Sequence, residues 1–215
     1  MDRDFEATLA AGGGDAAPDT GVQRAPRRSW REFLLQAVRG GRDPRSGLLT
    51  SEALLRRGEP LVARSRRGQA AMVLFDFHDL PDARQLYGRR ASEQLVERIG
   101  RGMEKLAGRA GLAARTGSIR FAVLLPGLTL QQALDATGRV LGHPCRIEAD
   151  VAGDDCVLVP DVAADICEAE PGSISALLDE LGQRLDNERR RQLRHKVSVR
   201  RERQRHSRPM PMNAG

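Results

Sequence analysis

The chain has 215 residues, of which 40% are hydrophobic and 3% aromatic, and this is enough for one globular domain with extensions. Its net charge of +6 is unevenly placed, because residues 189–215 carry +9 and the rest of the chain therefore carries −3. A mildly acidic body argues against a globular face that binds nucleic acid, and it leaves the basic segment as a contact element.

Cysteine spacing and hydropathy exclude further classes of protein. The three cysteines and four histidines lack the spacing of a disulfide framework or a zinc site. No run approaches the ~20 apolar residues that a membrane span needs, and the acidic, Gly- and Ala-rich start is unlike a signal peptide. We expect a cytoplasmic, soluble protein with reduced thiols, without a metal site or a cofactor.

The chain begins with two segments that precede the folded body. Residues 1–28 are rich in Gly, Ala, Pro and Asp without periodicity, so they are predicted to be disordered. Residues 29–42 contain a predicted short helix in which Trp30, Phe33 and Leu34 lie on one face. We expect this face to pack on the domain itself; a contact with a partner or a second copy is the alternative.

Residues 43–188 form the predicted domain, in which helix and strand signals alternate. In chain order, the predicted elements are a helix over 51–57, a buried strand over 71–77, helices over 81–86 and 91–107, strands over 111–115 and 120–126, a helix over 130–141, strands over 145–152 and 155–163, and a helix after 173. Two predicted hairpins exclude a purely parallel sheet. The order indicates an α+β fold with helices on a mixed or antiparallel sheet. The last helix can run on into the basic tail, residues 189–215.

Several segments of this domain carry a resemblance through their order and spacing. The stretch DPRSGL at 43–48 opens the domain, Asp76 ends the strand MVLFD, and Gly88 follows in the next helical region. The predicted turn of the first hairpin consists of Arg115, Thr116, Gly117, Ser118, Ile119, Arg120 and Phe121, and it is followed by AVLLP. Together these segments resemble the GGDEF domain, the diguanylate cyclase fold of bacterial cyclic di-GMP signalling, whose motifs read DxLTGLxNRR, DxDxF and RxGGDEF-xxLLP.

The resemblance implies a fold and a chemistry. The family fold is a five-stranded sheet flanked by helices, related to the palm of polymerases and nucleotidyl cyclases. The family condenses two GTP molecules across a dimer, with divalent metal ions held by an Asp at position 76 and by the acids of the turn. Here Ile119 and Arg120 replace those acids; Ile119 has no lone pair, and Arg120 keeps its positive charge. We therefore expect neither catalytic residues nor bound metal.

The nucleotide site that the resemblance implies is also altered. Arg84 and Glu93 stand where the family holds guanine with Asn and Asp, and Arg84 has no acceptor. A vestigial site would consist of Asp76, Arg84, Glu93 and Arg120. Arg120 is expected to pair with Asp76, and the alternative is a nucleotide phosphate. The product-binding RxxD motif of many relatives is Gly108-Arg109-Ala110-Gly111 here, so product binding is not expected.

The leading functional hypothesis is a catalytically inactive regulatory or interaction protein of cyclic di-GMP signalling. Its partner would be another protein, either a signalling enzyme or a cytoplasmic machine, and a homodimer is open. One alternative is a receptor for GTP or cyclic di-GMP without turnover. Another is an adaptor that binds nucleic acid or an anionic surface through the basic tail, which begins with Arg189, Arg190, Arg191 and Arg194.

Overall fold

The computed structural model describes residues 40–151 and 153–206, with side chains up to residue 193. The predicted disordered segment at 1–28 and the predicted helical face of Trp30, Phe33 and Leu34 lie outside the described residues. No helix in the described part is long and apolar enough to cross a membrane.

Four helices and seven strands make up the described part. They are β1 (Leu49–Thr50), α1 (Ser51–Arg64), β2 (Gln69–Asp76), α2 (Leu80–Ala107), β3 (Leu112–Arg115), β4 (Arg120–Pro126), α3 (Leu130–Leu141), β5 (Ile147–Val151), β6 (Asp154–Leu158), β7 (Asp161–Glu168) and α4 (Ser173–His206). A single turn of 3-10 helix, Arg66–Gly68, joins α1 to β2.

A five-stranded sheet with the order β1-β3-β4-β2-β7 forms the centre of the domain. The pair β1–β3 is parallel, while the other neighbours are antiparallel. Strands β5 and β6 form a separate two-stranded hairpin. The expected α+β class with a mixed five-stranded sheet flanked by helices is confirmed.

Helices cover both faces of the sheet, so nearly all of β2 is buried. Because side chains alternate along a strand, Phe75 and its odd-numbered neighbours face α2 and α3, while Leu74 and its even-numbered neighbours face α1 and α4. Asp76 and Arg120 have even numbers, and this parity places them on the α4 face at the end of the sheet.

The predicted strand over 155–163 was wrong as a single element. It is divided at Val159–Pro160 into the end of β6 and the start of β7, and proline cannot donate a backbone hydrogen bond in a ladder. β7 is not part of the hairpin: it pairs with β2 along its whole length. The second predicted hairpin itself is present as β5–β6.

Two helices are longer than their predicted segments. α1 continues to Arg64, seven residues beyond the predicted end at position 57. The two helices predicted over 81–86 and 91–107 are one element, α2, which is interrupted at Gly88, where φ is 83°. Glycine accepts this conformation without steric cost, so the chain bends there between its two helical parts.

α4 packs on the sheet with its first part only. Ile174, Leu177, Leu181 and Leu185 are buried against the sheet and α1. The helix then continues to His206, well into the basic segment, and Arg189, Arg190 and Arg191 are exposed on it.

Candidate functional site

The turn between β3 and β4 is held by one arginine. The backbone amides of Thr116 and Gly117 donate to the carbonyl of Arg120 at 2.9 and 3.2 Å, which closes the predicted hairpin. The guanidinium of Arg115 donates to the carbonyls of Gly117 and Ser118 at 3.0 and 2.8 Å. The signature-like turn is therefore ordered by its own first residue.

Arg115 also connects the turn to the start of the domain. Its Nη1 lies 3.2 Å from Oδ2 of Asp43, and that oxygen accepts from the backbone and hydroxyl of Ser46 at 2.9 and 2.7 Å. Burial alone would raise the pKa of Asp43, but the bonds from Ser46 and the charge of Arg115 outweigh it and hold the pKa below its ordinary value. Asp43 belongs to the DPRSGL stretch and Arg115 to the turn, so this ion pair joins two of the segments that carry the resemblance.

Arg120 occupies the centre of the site. It is the cross-strand partner of Asp76, and its Nε lies 3.0 Å from Oδ2 of that buried carboxylate. Its Nη2 bonds Oδ1 of Asp186 on α4. Burial lowers the pKa of Arg120, but the bond to Asp76 and the charge of Asp186 outweigh this and raise it. The expected pairing of Arg120 with Asp76 is present, and Asp186 is an additional partner that the sequence analysis missed.

The sequence of α4 makes room for this arrangement. A Cβ on Gly182 would lie 3.2 Å from Nη1 of Arg120, so the guanidinium rests against the helix where a side chain is absent. Asp186 follows four residues later, which places it on the same helix face. The signal that could have found it is this Gly–Asp spacing in a helix whose buried face includes Leu181 and Leu185.

The residues present do not fit the divalent metal ion that the resemblance implies. Ile119 packs against the hydrophobic core and offers no ligand atom. One oxygen of Asp76 is bonded to Arg120, and its other oxygen has no hydrogen-bond partner among the described residues. In the described part of the chain, no three His, Cys, Asp or Glu side chains are grouped to hold a metal. A fixed cation lies where a second carboxylate would be required.

Arg84 and Glu93 lie on α2, and among the described residues neither is hydrogen-bonded to Asp76 or Arg120. Glu93 accepts from Nε of Arg89 at 2.9 Å. This bond lowers the pKa of Glu93, and the charges of Arg89, Arg45 and Arg84 add to the effect. A cavity of about 430 Å³ opens beside it, lined by Pro44, Arg45, Arg89, Arg90, Glu93, Gln94 and Glu97. Its charges are mixed, and Glu93 is already engaged.

The segment that corresponds to the product-binding motif has no room for the motif's acidic side chain. A Cβ on Gly111 would lie 2.6 Å from the carbonyl oxygen of Ala107 and 2.7 Å from that of Leu124. Gly108 has a φ of 61°, which also favours glycine. The backbone is therefore built for glycine at both defining positions.

The structure describes the side chains of some of the remaining predicted contact residues, and others lie outside the described part. Arg189, Arg190 and Arg191 are exposed on α4. Arg194 belongs to the same helix, but its side chain lies outside the description, as do Trp30, Phe33 and Leu34.

Comparison with known proteins identifies one family. Residues 41–192 match the family described as "Diguanylate cyclase, GGDEF domain". No curated protein matches the chain.

Solved structures with the same fold include three from two bacteria. The GGDEF domain of FimX from Pseudomonas aeruginosa is 18% identical, with a TM-score of 0.59 over 68% of this chain and 92% of that one. Diguanylate cyclase SiaD from the same organism, in complex with its activator SiaC, is 22% identical, with a TM-score of 0.58 over 74% and 63%. The coiled coil and GGDEF domain of DgcB from Caulobacter crescentus, in complex with c-di-GMP, is 16% identical, with a TM-score of 0.57 over 74% and 86%.

Proposed function

Since the chain belongs to the GGDEF domain family of cyclic di-GMP signalling, we propose that it is a catalytically inactive member that acts as a regulatory or interaction protein. The observation that carries this proposal is the ion pair of Arg120 with Asp76 at 3.0 Å. It neutralises the retained acid of the site from within the chain. Catalysis by the family's chemistry needs carboxylates that are open to a metal ion and its phosphate ligands.

Electrostatics argue against metal-assisted turnover at this site. Two like unit charges ~4 Å apart repel by about 4 kcal/mol at an effective dielectric of 20, and a divalent ion doubles the charge product. Arg120 keeps its charge at any ordinary pH because a guanidinium does not lose its proton in proteins, and Asp76 and Asp186 raise its pKa further. With Ile119 beside it, the turn supplies no compensating ligand.

A protein partner is favoured over a nucleotide ligand. Gly108 and Gly111 leave no product-binding pair, and Arg84 cannot accept a bond from guanine. The structure of SiaD contains an activator protein, SiaC, and this supports the idea that a GGDEF domain can be bound by a regulator. By analogy, we propose that this chain acts through a protein–protein contact.

The receptor alternative depends on the cavity beside Glu93 and on the c-di-GMP bound in the DgcB structure. Its weakness is that Arg84, at the place where the family holds guanine with Asn, has no acceptor, while the exposed pair of Glu93 with Arg89 is only a small obstacle. Calorimetry of the full chain with GTP and with cyclic di-GMP separates the two proposals. We expect weak or no binding; micromolar affinity for either ligand would favour the receptor.

The proposal predicts no formation of cyclic di-GMP from GTP with Mg²⁺ or Mn²⁺. The measurement is product formation over hours, with an active diguanylate cyclase as the positive control and an Asp76→Asn variant as the blank. Asp76→Asn removes the only retained acid of the predicted metal set. Turnover by the unmodified chain above this variant would refute the proposal, and equal background in both would agree with it.

A further inference from the structure

A second cleft lies on the other side of the sheet from Arg120. It encloses about 380 Å³ between the C-terminal part of α2, the end of α3 and the start of β5. The residues that line it are Arg98, Arg101, Gly102, Lys105, Val140, Leu141, Gly142, Arg146, Ile147 and Glu148. We call it the α2–β5 cleft. Its lining includes neither Gly108 nor Gly111. The cleft lies at the C-terminal part of α2, toward the end of the sheet that is opposite the β3–β4 turn.

The α2–β5 cleft is lined by four cations and one acid. Arg98, Arg101 and Lys105 are spaced three and four residues apart, so they form one row along α2. Arg146 faces them from the segment before β5, and Glu148 is the single carboxylate of the lining. The chain outside the tail has a net negative charge, so this local surplus of positive charge stands out from the rest of the domain. It indicates an anionic ligand.

The internal pairs of these cations are weak enough for a ligand to replace. Arg101 lies 3.3 Å from Glu97, and both side chains are about 60% exposed. Arg146 lies 2.7 Å from Glu148, and these side chains are also more than half exposed. Exposed pairs of this kind contribute about 0–1 kcal/mol. The cations are therefore available to an incoming anion.

Arg98 is fixed in position without losing its charge to an acid. Its Nε donates to the backbone carbonyl of Glu148 at 3.2 Å, so it crosses from α2 to β5. That is its one side-chain hydrogen bond among the described residues. An arginine held through Nε still has terminal nitrogens for the paired contacts that guanidinium makes to phosphate.

Three apolar side chains form part of the base of the cleft. Leu141 and Ile147 are buried and Val140 is half-buried. A Cβ on Gly102 would lie 3.0 Å from Cδ1 of Ile147, so glycine at this position allows α2 to approach this base closely. A ligand in the cleft would meet apolar carbon below and cations at the rim.

We propose that the α2–β5 cleft binds a small soluble anion that carries a phosphate group on an apolar body. Its volume lies near the lower end of the ~300–1,000 Å³ range of small-molecule sites. The phosphate meets Arg98, Arg101 and Lys105, and the apolar body rests on Val140 and Ile147. This site is independent of the proposed function, because none of its residues belongs to the β3–β4 turn.

The test is a titration of the full chain with phenyl phosphate and with inorganic phosphate, followed by amide NMR at 150 mM salt, roughly physiological. We expect saturable shifts at Gly102 and Gly142, and tighter binding of phenyl phosphate than of inorganic phosphate. The double variant Arg101→Gln/Lys105→Gln should bind about tenfold more weakly. Arg146→Gln tests the opposite wall separately. Arg64→Gln/Arg66→Gln removes the same charge on the far side of the sheet and should leave binding unchanged.

Three results would overturn the proposal. They are the absence of saturable shifts at the cleft, equal weakening by both double variants, and equal affinity for the two phosphates. Absence of saturable shifts would mean that the cleft is not a binding site. Equal weakening by both double variants would indicate a general effect of charge, and equal affinity for the two phosphates would indicate an anion contact without an apolar subsite. These results do not depend on whether the chain turns over GTP, so the proposed function is tested separately.

Discussion

Arg120 lies between two carboxylates in different surroundings. The side chain of Asp76 is 5% exposed, while that of Asp186 is 46% exposed. A buried carboxylate that loses its cation remains in a low-dielectric environment, whereas an exposed one is solvated by water. The Asp76 side of the arrangement therefore contributes most to the stability of the site.

Replacement of Arg120 by alanine should lower the free energy of unfolding by about 2–3 kcal/mol. Breaking a buried pair typically costs about 3–5 kcal/mol, and the value is reduced here because Arg120 is 30% exposed. The measurement is urea denaturation at neutral pH. Arg184→Ala is the matched control: Arg184 also bridges two acids, Asp165 and Glu180, but all three are exposed, so its loss should be below about 1 kcal/mol.

A second variant separates the ion pair from simple loss of packing. Asp76→Asn combined with Arg120→Ala removes both charges, so it should be more stable than Arg120→Ala alone. The prediction is wrong if Arg120→Ala and Arg184→Ala are equally destabilising and the double variant is no more stable than Arg120→Ala. The stability of the fold would then not depend on the pairing of Asp76 with Arg120.

At this scale the sequence predicts the partners that belong to one recognised motif set better than those outside it. The Asp76–Arg120 pair could be expected, because the resemblance assigns both residues to the same site. Asp186 belongs to no motif of the resemblance and is 66 residues from Arg120, so the spacing from Gly182 to Asp186 on α4 was its only signal in the sequence. The link of Arg115 to Asp43 joins two recognised motifs, but only the fold brings them within 3.2 Å.

α2 approaches the start of the domain so closely that one glycine has no room for a side chain. A Cβ on Gly100 would lie 2.2 Å from the carbonyl oxygen of Ser46, which is backbone and cannot rotate away. Gly102, two residues later, would meet only the flexible ends of Ile147 and Leu141. The two glycines therefore differ in what limits them.

Gly100→Ala should destabilise the protein by about 1–3 kcal/mol, because overpacking forces α2 or the 43–48 loop to shift. Gly102→Ala should change stability by less than about 1 kcal/mol, since better helix propensity offsets a mild contact. Thermal unfolding of the two variants gives the comparison. Equal melting temperatures for both would contradict the close approach at Ser46.

Element types were predictable where periodicity was clear, and boundaries were not. The first hairpin, α3 and the buried strand of Asp76 follow from apolar runs and turn residues. β7 was merged with β6, because its alternating and half-buried residues give no apolar run of their own. β1 has two residues and exists only through its pairing with β3, so no local pattern indicates it.

The whole molecule separates its fold from its net positive charge. Among the side chains of α4 that the structure describes, up to residue 193, Leu185 is the last buried one, and the segment from 189 onward carries +9. Asp186, which bonds Arg120, lies just before that segment. The packed domain and the basic tail can therefore be tested independently.

Truncation after Glu188 should leave the melting temperature nearly unchanged, because every described core residue is retained. Binding of the full chain to duplex DNA or to an anionic protein should weaken sharply on truncation if the tail makes the contact. Such binding should also fall with salt, with a log–log slope of roughly −0.9 per neutralised phosphate on DNA. The measurement is fluorescence anisotropy at low and high salt.

The same comparison also locates the partner that we propose for the domain. A protein that the truncated chain retains equally well in high salt is bound by the domain, and the adaptor role of the tail is then excluded. A large loss of melting temperature would instead show that the tail contributes to folding.

The pairing of Arg120 with both Asp76 and Asp186 has a consequence for substitutions toward the acidic signature of the family. A single Arg120→Glu substitution would remove two attractive contacts and place three carboxylates together, while Ile119 still supplies no ligand. Such a variant is destabilised by repulsion among the carboxylates. The one-step introduction of an acid at this position is therefore opposed by the two carboxylates that now hold Arg120.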